Sequence, residues 1–185
     1  MVYESLSEIF EALHNTRERI YARVEALGPE QYSYKEEGGW SVAGVIEHIG
    51  AAEARIVSRV RASISRAETA GELGPASNLF QPISPDEIRS RSTLTQFQAP
   101  PDFVPKRESP LDELVNEIKA SRAELLELRP KFEQLNLSNL RFPHPAFGPL
   151  DLYEWLALVV LHEDRHLNQI ERILACPDFP ARVCA

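Results

Sequence analysis

Hydrophobic residues recur at intervals of three and four along four stretches of the chain, and this spacing predicts four long amphipathic helices. Ser41 is suited to cap the second of them, because its hydroxyl can accept from a free amide of the first turn. The predicted helices cover approximately residues 3–27, 42–70, 111–128 and 151–175.

Residues 66–108 interrupt this pattern with six prolines, too many for a continuous helix. Within the interval, Ser84 and Glu87 have capping-box spacing around Pro85, which predicts a short helix over about residues 85–96. A second proline-rich stretch, residues 141–149, is expected to be a rigid connector into the last helix.

No stretch of useful length alternates with the period of a strand, so we expect no sheet. The prediction is an all-α fold. It is an up-down-type four-helix bundle in which a long proline-rich crossover between the second and third long helices carries a short extra helix. At 185 residues the chain is expected to form a single domain over residues 1–185.

Charge and cysteine content restrict the classes of function. The net charge of −8 argues against a general nucleic-acid-binding surface. The two cysteines, Cys176 and Cys184, match no metal or redox motif and favour a reducing compartment. The start of the chain does not resemble a signal peptide, and no apolar run approaches about 20 residues. We therefore expect a cytoplasmic protein that acts on small molecules, without a membrane partner.

Histidines interrupt two of the predicted apolar stripes. His162 and His166 are four residues apart, which places both imidazoles on one face of the last helix. That face continues the apolar stripe, and His48 lies on the inward side of the second helix. Buried imidazoles need polar partners, and a shared metal ion would supply one. The alternative is that these are ordinary core histidines with protein partners.

Three imidazoles on one ion would leave at least one coordination position for water or substrate, as in catalytic sites. Imidazole-only coordination suits zinc, nickel, iron or copper. The segment from His162 to His166 also matches the HExxH pattern of zinc peptidases, with Glu163 as the general base. A peptidase is disfavoured, because the downstream glycine and histidine of the extended pattern are absent and no sheet is predicted.

At these residues the chain resembles the DinB/YfiT-like superfamily of bacterial four-helix-bundle proteins. The resemblance rests on three segments: Gly39 to Ile49 with His48, Phe142 to Trp155, and His162 to Ile170. It implies a metal site formed by His48, His162 and His166, commonly with nickel or zinc, and frequent homodimerisation. Members with known chemistry include S-transferases that use low-molecular-weight thiols such as bacillithiol, and a mycothiol-dependent maleylpyruvate isomerase.

The leading hypothesis is a metal-dependent S-transferase that conjugates a low-molecular-weight thiol to a small electrophile. The alternatives are a metal-dependent hydrolase acting through a metal-activated water, a non-catalytic metal-binding stress protein, and a purely structural bundle. No protein nucleophile is assigned. Glu47, Glu163 and Asp164 are candidates for orienting a ligand imidazole.

Two tryptophans and the two remaining histidines are expected to lie outside the metal centre. Trp40 and Trp155 are expected to anchor the core, His14 to lie at a surface or pocket, and His144 to lie in a loop.

Overall fold

The computed structural model describes residues 2–76, 80–92, 99–107 and 109–181. Its α-helices are α1 (Leu6–Val24), α2 (Pro29–Ser33), α3 (Val42–Ala70), α4 (Pro85–Ser90), α5 (Leu111–Glu127), α6 (Arg129–Gln134) and α7 (Leu152–Leu174). A 3-10 helix, Pro101–Phe103, precedes α5, and two short strands, β1 (Arg141–His144) and β2 (Gly148–Asp151), precede α7.

The four long helices form a bundle with two apolar clusters, one toward each end. Helix α1 packs on α7, while α3 packs on both α5 and α7. Along α1 and α7 the chain passes from the first cluster, which contains Phe10 and Trp155, to the second, which contains Ile20 and Ile170. Along α3 and α5 it passes from the second cluster to the first. The directions are therefore up, down, down and up, and the predicted four-helix bundle is confirmed.

The long crossover follows from these directions. Because α3 and α5 run the same way, the chain must return along the bundle between Gly71, the C-cap of α3, and Leu111, which begins α5. Ile83 and Ile88 of the crossover are buried against the first cluster. The crossover carries the predicted short helix, which ends at Ser90; residues 93–96 of that prediction lie outside the described residues.

A small antiparallel hairpin corrects the expectation that the chain has no sheet. Strand β1 pairs with β2 from Arg141 opposite Asp151 to His144 opposite Gly148. Each strand has four residues and contains a proline, so no alternation long enough to detect exists in the sequence. Gly148 adopts a φ of 73°, a left-handed conformation that glycine tolerates best. The connector that the sequence predicts between the third and last long helices is thus a hairpin.

The observed ends of the helices differ from the predicted ends in smaller ways. Helix α1 begins at Leu6 because Tyr3 exchanges two backbone hydrogen bonds with Ile83, at 2.9 and 3.0 Å. Helix α2 was not predicted. The third long helix ends at Glu127, and after Leu128 the short α6 begins at Arg129, with Pro130 in its first turn. Among the described residues, every helix is too short or too polar to cross a membrane.

A layer of buried charges separates the two apolar clusters. Each long helix contributes one member, and all four are almost fully buried: Arg17 is 2% exposed, Glu53 2%, Arg122 7% and Glu163 0%. We call these four residues the buried charge layer. Lone buried charges would be very costly, so the layer requires that each charge be paired and hydrogen-bonded.

The pairing within the layer is extensive. Arg17 Nη2 donates to Glu53 Oε2 at 2.9 Å, and Arg17 Nε donates to Glu163 Oε1 at 3.0 Å. Arg122 Nε donates to Glu53 Oε1 at 2.8 Å, and Arg122 Nη2 donates to Glu163 Oε1 at 2.7 Å. Thr16 and Ser121 add hydroxyl donors to the two carboxylates. Each arginine also donates to a backbone carbonyl of a neighbouring long helix.

Replacing Glu53 by Gln should lower the free energy of unfolding by about 3–5 kcal/mol, because it leaves two buried guanidinium groups short of negative charge. Urea unfolding followed by circular dichroism measures this. The control is Glu68→Gln on the same helix, whose exposed pair with Lys131 should contribute less than about 1 kcal/mol. Equal effects of the two substitutions would show that the layer is not what stabilises the bundle.

The contribution of Glu53 should also depend on pH. Burial raises the pKa of its carboxyl, but Arg17 and Arg122 lower it more, so the pKa lies below the ordinary value of 4.5. A lowered pKa in the folded state stabilises the protein above the ordinary value, and this stabilisation is lost as the pH falls below it. The stability difference between wild type and Glu53→Gln should therefore shrink as the pH is lowered from 7 through about 4. A difference that stays constant over that range would contradict this assignment.

Candidate metal centre

Three histidines converge in the half of the bundle that contains the second apolar cluster. His48 comes from the first turns of α3, after the Ser41 cap, whose side chain accepts from Gly44 N at 3.1 Å. His162 and His166 come from successive turns of α7, which packs on α3. One ring nitrogen from each of the three lies within 4.8 Å of the other two. The structure therefore brings together all three predicted ligand residues.

Hydrogen bonds on the far side of two rings define their tautomers. His48 Nδ1 lies 2.7 Å from the carbonyl oxygen of Phe103, and His166 Nδ1 lies 2.8 Å from Oε1 of Gln169. Both partners are oxygen acceptors, so both Nδ1 atoms must carry the proton. In the neutral rings, Nε2 then holds a lone pair directed to the shared centre. This is the arrangement that fixes and orients metal-binding histidines.

The Nε2 atoms show the fit to a metal most directly. His48 Nε2 and His162 Nε2 are 3.0 Å apart, a distance that fits both an N–H···N hydrogen bond between the two rings and two ligands of one ion. Two imidazole nitrogens at about 2.0–2.1 Å from one ion lie about 3 Å apart or slightly more. His166 Nε2 is buried and has no hydrogen-bond partner among the described residues. A buried nitrogen without a partner is costly, and a cation at this centre would satisfy it.

Burial keeps all three imidazoles neutral near pH 7. It lowers the pKa of His48, lowers that of His162 well below 6.5, and lowers that of His166 to about 3. The neighbouring imidazoles lower the pKa of His162 and His166 further, because two protonated rings would repel each other. Only an unprotonated ring can bind a metal, so the site is prepared to accept a cation without first losing protons.

A cleft of about 450 Å³ opens onto the histidines. Its described lining comes from the α2–α3 loop, the crossover, α3 and α7: Gly38, Gly39, Trp40, His48, Ala99, Val104, His162, Arg165, His166 and Gln169. The Trp40 ring stacks on His166 with a centroid distance of 6.2 Å and an interplanar angle of 10°. A larger cleft, of about 580 Å³, lies between α4, α6 and the start of α7 and contains none of these histidines. The chemistry of the first cleft makes it the candidate site.

Comparison with known proteins is consistent with this geometry. The DinB superfamily model matches residues 12–170. The chain belongs to the DinB superfamily. No curated protein matches it significantly.

Two solved structures share the fold of this DinB-superfamily chain. TT2238, described as a four-helix bundle protein, is 22% identical, with a TM-score of 0.62 over 91% of this chain and 99% of its own. YfiT from Bacillus subtilis is 16% identical, with a TM-score of 0.58 over 93% of this chain and 90% of its own. YfiT is described as a probable metal-dependent hydrolase with an unusual four-helix bundle topology.

The three carboxylates proposed to orient the histidines have other partners. Glu163 belongs to the buried charge layer. Glu47 accepts from the backbone N–H groups of Lys106 and Arg107, at 3.2 and 3.1 Å. Asp164 pairs with Arg19 at 3.1 Å. Within the described chain, the groups that orient the rings are instead the Phe103 carbonyl and the Gln169 amide.

The remaining aromatic residues divide between the core and the cleft. Trp155 is a core anchor as expected, and it stacks on Phe142 at a centroid distance of 4.3 Å. Trp40 is half-buried: it packs against the second apolar cluster, as expected, and it also lines the cleft. His14 is exposed on α1. His144 lies in β1 beside Phe147, where burial lowers its pKa to about 4.

Sequence reasoning missed Gln169 and Phe103. Gln169 could have been found, because it follows His166 by three residues and so lies on the same face of α7. The Phe103 carbonyl could not, because every residue has a carbonyl group and only the path of the crossover brings this one to His48.

Gln169→Ala should weaken metal binding about 10- to 100-fold, because the His166 ring loses the partner that fixes its tautomer. Competition with a chromophoric chelator for Zn²⁺ measures the dissociation constant. Asn168→Ala is the matched control, since this neighbouring amide is exposed and binds only the carbonyl of Asp164 among the described residues. Unchanged affinity in Gln169→Ala would rule out its positioning role.

Proposed function

We propose that this DinB-superfamily protein holds one divalent transition metal, zinc or nickel, through His48, His162 and His166, and that it is a metal-dependent enzyme. The observation that carries the proposal is the convergence of three neutral imidazoles, one with an unsatisfied buried Nε2, at the floor of an open cleft. A three-histidine set leaves a coordination position for a substrate.

The reaction we propose is S-transfer from a low-molecular-weight thiol to a small electrophile. A bound divalent cation supplies the charge that favours the thiolate form of a thiol. The thiol proton leaves to solvent, sulfur forms a bond to the electrophilic carbon, and the leaving group departs with its bonding electron pair. The protein would provide three ligands, the cleft of about 450 Å³ that opens onto them, and the Trp40 ring, which lines that cleft beside His166.

The position of Glu163 favours this reaction over the HExxH type of hydrolysis. In that chemistry the glutamate removes a proton from the attacking water. Here the Glu163 carboxylate is fully buried and is hydrogen-bonded to Arg17, Arg122 and Thr16. Its carboxylate is therefore occupied within the buried charge layer and is not available as a base. A thiol needs no such base, because a bound cation would lower the pKa of the thiol.

Metal-dependent hydrolysis is the second candidate, because YfiT, which has the same fold, is described as a probable metal-dependent hydrolase. It would use the same three ligands with water in the open position. A non-catalytic metal-binding role is the third. We further propose a cytoplasmic homodimer whose partners are small-molecule substrates, in line with the net charge of −8 and the family resemblance.

Conjugation of 2-mercaptoethanol to 1-chloro-2,4-dinitrobenzene by metal-loaded protein tests the proposal, and hydrolysis of 4-nitrophenyl acetate without thiol tests the second candidate. We expect His162→Ala to lose the metal, by elemental analysis, and at least about 100-fold of the conjugation rate. His14→Ala, which changes an exposed histidine, should lose neither. Circular dichroism checks that both variants fold.

Each pattern of rates decides between the candidates. Conjugation that depends on thiol, metal and His162 supports S-transfer. Thiol-independent hydrolysis with the same dependence would overturn S-transfer in favour of the hydrolase. Bound metal without either activity would favour the non-catalytic role.

A further inference from the structure

Arg165 is a cationic residue on the wall of the metal cleft and is neither a candidate metal ligand nor part of the buried charge layer. It lies on α7 between the two ligand histidines of that helix, directly before His166. Its side chain is exposed and contributes to the cleft lining. Arg165 follows His162 by three residues and precedes Gln169 by four, so it lies on the same face of α7 as these cleft residues. A molecule that reaches the three histidines therefore comes within range of this guanidinium group.

The charge of Arg165 is not neutralised by the protein residues that the structure describes. Neighbouring arginines of α1 are paired across the surface of the bundle: Arg19 with Asp164 at 3.1 Å, and Arg23 with Glu171 at 3.1 Å. Asp164 precedes Arg165 in the chain but points its carboxylate to Arg19. The exposed Arg165 side chain thus lines the cleft, and its five N–H donors have no protein acceptor among the described residues.

The positive charge of Arg165 contrasts with the negative net charge of the chain. The chain carries a net charge of −8, yet the cleft lining consists of neutral imidazoles, one amide, aromatic and aliphatic groups, and Arg165 among the described residues. A divalent ion held by the three neutral histidines would add further positive charge. The cleft therefore attracts anions although the protein as a whole is acidic. Arginine is suited to carboxylates, because its planar fork can donate two parallel hydrogen bonds.

We infer that Arg165 is a specificity-determining residue that binds an anionic group, a carboxylate, on the thiol whose sulfur occupies the open position beside His48, His162 and His166. The inference rests on the proposed function, and it assigns the carboxylate to the thiol because Arg165 adjoins the histidines themselves. The thiol class is thus a small mercaptocarboxylate rather than a neutral or cationic thiol. Its two ends would bind two different sites, the sulfur at the centre and the carboxylate at Arg165.

Thiol binding to Co²⁺-loaded protein tests the inference without relying on turnover, because sulfur coordination changes the visible absorption of the ion. The probes are 3-mercaptopropionate, which is anionic, and 2-mercaptoethanol, which is neutral. Arg165→Gln should weaken 3-mercaptopropionate about 3- to 10-fold and change 2-mercaptoethanol less than about twofold. For each thiol, the affinity for wild type is compared with the affinity for the variant. The difference in acidity between the two thiols therefore does not affect the result.

Two variants control for charge and for damage to α7. Arg172→Gln removes an equal charge from an exposed position on the same helix, outside the cleft lining, and should leave both affinities unchanged. Arg165→Lys keeps the charge but loses the planar fork, so it should retain part of the preference for the anionic thiol, more than Arg165→Gln and less than wild type. Raising the salt concentration should reduce that preference in wild type, because the pair is exposed to solvent.

The outcomes separate this inference from the proposed function. Equal loss of both thiols in Arg165→Gln, or no loss of either, overturns the role of Arg165 while thiol binding itself stands. If neither thiol changes the wild-type spectrum, S-transfer is overturned. Propionate, which has the carboxylate but no thiol, then tests the anion site alone. Binding of propionate that weakens in Arg165→Gln would keep the anion site, and the absence of such an effect would overturn it too.

Discussion

The bundle depends on one buried ionic interaction, the mutual neutralisation of Arg17, Glu53, Arg122 and Glu163. Each long helix supplies one charge at the level where the two apolar clusters meet. An apolar cluster tolerates small shifts and rotations of a helix, but a buried charge tolerates almost none, because a lost partner leaves an unpaired ion. The layer therefore sets the depth and rotation at which the four helices pack.

That constraint extends to the candidate metal centre. Glu163 lies between the two ligand histidines of α7, and successive residues of a helix differ in direction by about 100°. Once Glu163 is held against α1 and α5, His162 and His166 are directed to the side of α7 where α3 presents His48. The residue that resembles the catalytic glutamate of HExxH thus acts on the site through the fold, by orienting the helix that carries two ligands.

The environment of the cleft gives the site its chemical character. Burial disfavours protonated imidazoles, and the crossover supplies the carbonyl that directs the His48 lone pair inward. The same fold occurs in TT2238 and YfiT at 22% and 16% identity, which shows shared architecture and leaves chemistry to be decided by site residues. In this DinB-superfamily chain those residues include a half-buried tryptophan and an unpaired cleft arginine, Arg165, within the part of the structure described.

Helical periodicity, caps and prolines act over a few residues, so the sequence was enough to predict the long helices, the crossover and the inward faces that carry the three histidines. Tertiary structure decided what depends on distant partners. The parallel course of α3 and α5 arises only when both pack in one bundle. The HExxH spacing suggested that Glu163 is a site residue. In the structure its carboxylate instead accepts hydrogen bonds from Arg17 and Arg122, which are far from it in sequence. The hairpin before α7 likewise depends on pairing between two strands. Each has only four residues, which is too short to give a recognisable strand pattern in the sequence.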